Sequence, residues 1–226
     1  MTKSIRTNKT ETATTAARWA LGLVGVFLAL LALLHVAEPE FDPSWRFISE
    51  YALGNLGWVL MLGFFALALG CVAVVVAVGS QVRGTGGKIG LGLLLLVAFA
   101  LAAAGVFPQD PVTAQPDELT LQGSLHGFAA IIGLPGFAIA ALLISVNLTR
   151  HHQMWTPARG RLLWSANLTW ISLAAMILYL ALTVPQAGGF GPSVMAGWFN
   201  RLVVVTQSVW LIVVARHALE ISKQRA

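Results

Sequence analysis

The chain has 226 residues, 57% of them hydrophobic and only 10% charged, with a formal net charge of +5 and a single cysteine. Soluble domains average about 45–50% apolar and about 25% charged residues, so this balance specifies a membrane chain. Disordered, collagen-like, coiled-coil and disulfide-stapled secreted classes are excluded together, because none carries long apolar runs with one cysteine.

A hydrocarbon core about 30 Å thick needs a helix of about 20 mostly apolar residues. Six runs qualify, over 17–36, 52–79, 89–107, 125–148, 162–183 and 199–215. They lack the alternating pattern of a barrel strand, and a helix satisfies its own backbone in lipid. The fold class predicted is therefore all-α: a polytopic bundle of six transmembrane helices. A basic tail (1–16) precedes the membrane domain (17–215) and a second one (216–226) follows it.

Lys3, Arg6, Lys9 and Arg18 precede or open the first run. The run is longer than the apolar part of a usual signal peptide, and His35 would sit badly before a cut after Ala37, so a retained span is expected. In the connection that follows, Asp42-Pro43 reads as a helix start, Asp being a good N-cap and Pro suited to the first helical position. Arg46 and Glu50 would then share a helix face at i,i+4. Counting about 20 residues back from Gly79 reaches only Leu60, so 46–57 must tilt, protrude or lie at the interface.

Cys71 has no partner and reads as inert. The glycine-rich turn at 84–87 lacks the phosphate-loop pattern. On the fourth run, Glu118, Gln122 and His126 line one helix face that continues into Ala129, Ala130 and Gly133, and Pro135 is expected to kink the helix. Thr169, Ser172, Met176, Tyr179 and Thr183 form a stripe on the fifth run; Asn200, Val204, Gln207 and Leu211 form another on the sixth. Both read as interhelical hydrogen bonding, or as the walls of a cavity between helices four, five and six. Gly22, Gly54, Gly70, Gly123 and Gly127 are expected to allow close helix approach.

Twelve of the fourteen basic residues fall at the termini and even-numbered connections, whereas Glu38, Glu40, Asp42, Glu50, Asp110, Asp117 and Glu118 fall in or beside the odd-numbered ones. The positive-inside rule then places both termini in the cytoplasm of an inner or plasma membrane protein. The net charge is a topology signal with anionic lipid as its counter-charge, and no nucleic-acid partner is expected. Trp19, Trp155, Trp164, Trp45 and Trp198 fall near helix ends, while Trp58, Trp170 and Trp210 read as packing residues. His151, His152 and His217, among cytoplasmic arginines, read as interfacial.

Polar residues that apolar packing does not require gather at the outer ends. They are His35, Arg46, Ser49, Glu50, Asp110, His126 and Arg201. Guanidinium groups suit carboxylate or phosphate, so Arg46 and Arg201 would grip an acid of this chain or a lipid head group. A zinc site at His35, Glu50, Asp110 and His126 lacks any pair of ligands on one helix face, and no cofactor is predicted. Haem between His35 and His126 would need facing imidazoles. No lysine lies within a span, as retinal would need, and no acid lies at mid-membrane for proton-coupled transport. Neither Ser49 nor Ser124 sits in a nucleophile elbow.

Three stretches carry a likeness: Ile48-Ser49-Glu50-Tyr51-Ala52-Leu53-Gly54, Gly105-Val106-Phe107-Pro108-Gln109-Asp110 and Leu125-His126-Gly127-Phe128-Ala129-Ala130. In order and placement they resemble the bacterial and archaeal six-helix family catalogued as domain of unknown function 998, over about residues 17–215. The resemblance implies fold and location, and carries no activity. Its Ser-Glu, Phe-Pro and His-Gly elements fall on Ser49, Glu50, Phe107, Pro108, His126 and Gly127, toward one membrane face.

The functional expectation is an outward-facing polar pocket of Arg46, Ser49, Glu50, Asp110, His126 and Arg201 that binds a lipid head group or small amphiphile. The alternatives are a metal-assisted hydrolase or lipid-modifying enzyme using the same Glu, Asp and His residues, and a non-catalytic accessory subunit. No catalytic residue is assigned.

Overall fold

The computed structural model describes residues 2–225, with side chains from Glu11 to Gln224. The side chains of Lys3, Arg6, Lys9 and Arg225 therefore lie outside the described residues. Six helices are present: α1 (Thr2–Ala37), α2 (Gly57–Gly79), α3 (Gly84–Val106), α4 (Leu121–His151), α5 (Arg159–Ala187) and α6 (Ala196–Arg225). All six contain stretches long and apolar enough to cross a membrane, and no strand occurs among the described residues. The protein is a multi-pass, all-helical membrane protein.

Apolar runs count only the part of a helix that meets lipid. Each helix except α2 begins earlier or ends later than its run, and α6 continues ten residues beyond the expected end at 215 because its Ala-Leu-Glu-Ile-Ser-Lys continuation is made largely of good helix formers. The expected start of the second span at 52 is corrected to Gly57. A 3-10 helix over Ile48–Leu53 comes first and stops at Gly54.

Consecutive helices pack side by side and α1 closes against α6, so the bundle is a ring; α6 also reaches α2 and α4. Within their most apolar stretches α2 is 56% and α6 50% buried, against 22% for α5, which places α2 and α6 centrally. Phe99, Phe128, Ile131 and Leu182 remain largely exposed on the outer surface, where acyl chains would cover them. α4 runs unbroken through Pro135. Among the glycines, Gly70 admits close approach, its absent Cβ facing Val24 at 3.3 Å, but Gly22 and Gly127 face open space and do not serve helix packing.

One end of the bundle carries the acidic connections and the other the basic ones. At the basic end, Asn147 Oδ1 accepts from Arg83 N at 2.9 Å while its Nδ2 donates to Arg83 O, clamping the α2–α3 turn to α4. We expect Asn147→Ala to lower stability by about 1–3 kcal/mol, read by thermal melting in detergent, because both backbone groups lose their partner. One tryptophan expectation, for Trp58, and one histidine expectation, for His217, are corrected. Trp155 is fully buried and donates to Gln81 Oε1 at 2.9 Å, whereas Trp58 is 58% exposed. His217 is buried, with Nε2 donating to Met154 O at 2.9 Å and Nδ1 2.8 Å from Glu220. Trp210 does pack in the core, edge-on to Phe137 and donating to Ser145 Oγ at 2.9 Å.

Candidate functional site

The acidic end is built around the α1–α2 connection, which folds over the bundle as a roof. Asp42 starts a turn: its Oδ1 accepts from Ser44 N at 2.8 Å and its carbonyl from Arg46 N at 3.0 Å. The Ser44 N–H holds the Asp42 carboxyl below the usual carboxylate range. Phe47 is then extended, so the continuous helix expected from Asp42 is replaced by a turn followed by the 3-10 helix. Arg46 and Glu50 nevertheless pair, Nη1 to Oε1 at 2.7 Å.

Glu50 is fully buried and every contact it makes is with a donor. Oε1 accepts also from Val112 N at 3.1 Å and Oε2 from Phe47 N at 2.9 Å. The carboxylate thus ties the roof to the α3–α4 connection. Ser49 Oγ donates to Gln109 Oε1 at 2.5 Å in the same direction, and Ile48 N donates to Asn200 Oδ1 on α6 at 3.0 Å. On the far side of the roof, buried Glu38 accepts from Leu56 N at 2.7 Å and rests on Gly54, which has no side chain to displace it.

Arg201 is buried and meets no carboxylate. Its Nη1 donates to the carbonyls of Arg46 (2.7 Å) and Gly197 (3.1 Å), and its Nε to His35 Nε2 at 2.7 Å. His35 Nδ1 donates to Leu31 O at 2.7 Å, so the ring is held with its proton on Nδ1 and its lone pair toward Arg201. Tyr51, stacked obliquely on His35, has its phenol pushed up by burial. Asp110 braces α4: Oδ2 accepts from Thr120 N at 2.9 Å and Oδ1 from Thr120 Oγ1 at 2.8 Å, while Thr120 Oγ1 accepts from Gly123 N at 3.0 Å as the helix cap. Gly123 leaves room for that carboxylate.

Beneath the roof lies a cavity of about 90 Å3. A water needs about 10–15 Å3, so the space accepts several waters or a short stretch of an apolar chain. Its walls are mostly apolar: Phe27 from α1, Phe64 and Leu67 from α2, Val97 to Ala104 from α3 and Ala129 to Leu134 from α4. Ser49, His126, Asn200 and Gln207 are its polar residues. His126 Nδ1 faces Phe107 O (2.8 Å) and Ala104 O (3.2 Å), which places the proton there and leaves Nε2 as an acceptor. Gln207 Nε2 is buried without a partner.

The six expected pocket residues are therefore not one constellation. Ser49 and His126 reach the cavity, Arg46 and Glu50 pair within the roof, Asp110 holds the start of α4, and Arg201 binds His35 and backbone. The cavity is walled by α1, α2, α3, α4 and α6, and the expected contribution of helix five is corrected. The Thr169, Ser172 and Met176 face of α5 is instead buried, with Ser172 and Thr206 sharing a hydroxyl hydrogen bond at 2.8 Å. The four suggested metal ligands are likewise dispersed: among the described residues no three His, Cys, Asp or Glu side chains stand together as a metal centre needs.

Glu38 and Gln109 escaped sequence reasoning as site residues. Gln109 lies within a stretch that carries the family likeness and Glu38 among the acids of the first connection, but each acts on a partner brought near only by the fold. Asn200 and Gln207 were visible as a polar stripe, but the pattern alone does not separate a wall from interhelical glue.

Six spanning helices roofed at one end over an internal cavity define the class of this protein. The chain belongs to the family described as protein of unknown function (DUF998), whose model matches residues 24–217. Comparison with curated proteins and with solved structures gives no match.

Proposed function

We propose that the protein binds a slender membrane amphiphile inside the bundle, with its chain among the apolar walls and its polar group near Ser49, His126, Asn200 and Gln207. The observation that carries this reading is the cavity itself, its walls mostly apolar with four polar side chains among them, the usual make-up of a ligand site. Arg46, Glu50, Asp110 and Arg201 serve it indirectly by fixing the roof and the helix ends. On the charge sorting, the roofed end faces away from the cytoplasm and both termini face into it.

The test is the lipid content of protein purified in mild detergent, measured by mass spectrometry per mole of chain. Wild type should retain one amphiphile. Ala130→Phe projects a ring into the cavity and should lower that content about ten-fold or more, for an overpacking cost of about 1–3 kcal/mol in stability. Equal content in both proteins, or none in either, sinks the reading.

A further inference from the structure

Gln207 is the residue that apolar packing explains least. It lies eleven positions beyond Ala196, the first residue of α6, which at about 1.5 Å per residue is roughly 16 Å along the axis. That is about half of a hydrocarbon core about 30 Å thick. Gln207 is only 6% exposed, lines the cavity, and keeps Nε2 without a hydrogen-bond partner. An orphaned amide at that depth is costly, because no bulk water reaches it. A ligand acceptor would remove the cost.

His126 offers the complementary group. Its Nδ1 is committed to the carbonyls of Ala104 and Phe107, so Nε2 accepts. The cavity therefore offers a donor at Gln207 Nε2 and an acceptor at His126 Nε2, beside the amide groups of Asn200 and Gln207 that are not used within the fold. Among the described residues that line it there is no Asp, Glu, Lys or Arg. The two arginines of this end are already engaged, Arg46 by Glu50 and Arg201 by His35 and backbone carbonyls. A phosphate or carboxylate head group placed here would lose its water and meet no opposite charge.

We infer that the cavity selects an uncharged amphiphile of the acylglycerol kind, whose carbonyl or hydroxyl oxygen accepts from Gln207 and whose hydroxyl donates to His126. The inference rests on the reading above and narrows it: the ligand is neutral, and the expected anion-gripping role of the arginines is set aside.

The experiment uses the full chain in detergent with two photoreactive probes carrying the same diazirine acyl chain, a 1-acylglycerol and a phosphatidylglycerol. The acylglycerol should label α4 and α6 peptides that line the cavity, and unlabelled 1-oleoylglycerol should displace it while dioleoyl-phosphatidylglycerol does not. In Gln207→Leu, labelling should fall about two- to ten-fold, the equivalent of one neutral hydrogen bond. Its melting temperature should hold or rise, since an unpartnered polar group is replaced by an apolar one of similar size. A fall in melting temperature gives the amide a structural partner and overturns its assignment to ligand. Equal labelling by the phosphatidylglycerol overturns the selectivity but leaves the cavity as a lipid site, whereas no cavity labelling by either probe overturns both.

Discussion

Gly197→Ala is expected to lower the melting temperature by about 6–12 °C and to loosen the roof. Gly197 is the second residue of α6, and the turn at 43–46 lies directly on it. An added Cβ would lie 2.6 Å from Arg46 O and 2.9 Å from Trp45 N, and would press on Pro43 O as well. All three are backbone atoms, so no side chain can swing aside. The turn is also held in place by Trp198 N donating to Ser44 O at 3.2 Å and by Arg201 donating to Arg46 O. Overpacking usually costs about 1–3 kcal/mol, and this rigid setting belongs at or above the upper figure. At about 2–4 °C per kcal/mol for a chain of this size, the stated shift follows. Ile48→Cys, buried in the roof of the otherwise native protein, should be slow to react with a maleimide and become reactive in the Gly197→Ala background. Gly127→Ala is the control: its Cβ meets nothing within 4 Å, and helix propensity favours alanine by about 1 kcal/mol. If the two variants melt alike, the roof is not seated as described.

The six spans were legible because membrane insertion leaves a signal in one dimension, about 20 apolar residues in a row. Helix ends were not, because beyond the lipid a helix is continued by propensity and capping rather than by hydropathy, as at Ala215 and Thr120. The Arg46–Glu50 pair was legible from its spacing even though the backbone between them is not an α-helix. By contrast, His35 and Arg201 are 166 positions apart, and nothing local in either predicts the contact. The acidic end shows the same limit. Seven acids near one face suggest a site, yet Glu50 and Asp110 spend both carboxylate oxygens on donors of the connections and helix starts around them, and Glu38 spends Oε1 on Leu56 N. Composition reveals that acids are present; only tertiary structure reveals that donors have already claimed Glu50 and Asp110. Gln207 is the reverse case, a residue whose stripe looked like glue and whose amide the fold leaves unpartnered.

Glu50→Gln separates a carboxylate that builds the roof from one that grips a ligand. Its partners are all donors: Arg46 Nη1 and Val112 N at one oxygen, Phe47 N at the other. Glutamine keeps the shape but carries an NH2 group, which must face either Phe47 N or the Arg46 and Val112 pair. Whichever way it turns, one donor confronts another and one buried N–H goes unpaired. Breaking a buried ion pair costs about 3–5 kcal/mol, but the Arg46 side chain is 24% exposed and regains some water when released, so about 2–3 kcal/mol is expected. Glu50→Ala, which abandons all three donors, should cost about 3–5 kcal/mol. Arg46→Met should cost at least as much as Glu50→Gln, because it leaves the buried Glu50 carboxylate charged with only its two backbone donors. That pattern, all three changes destabilising and Gln the mildest at Glu50, is what a structural carboxylate produces. A carboxylate that held ligand would invert it, with ligand content falling in Glu50→Gln while the melting temperature stayed at the native value. Measuring both quantities on the three variants decides the matter, since a roof that merely weakens will release its amphiphile only in proportion to the stability it has lost.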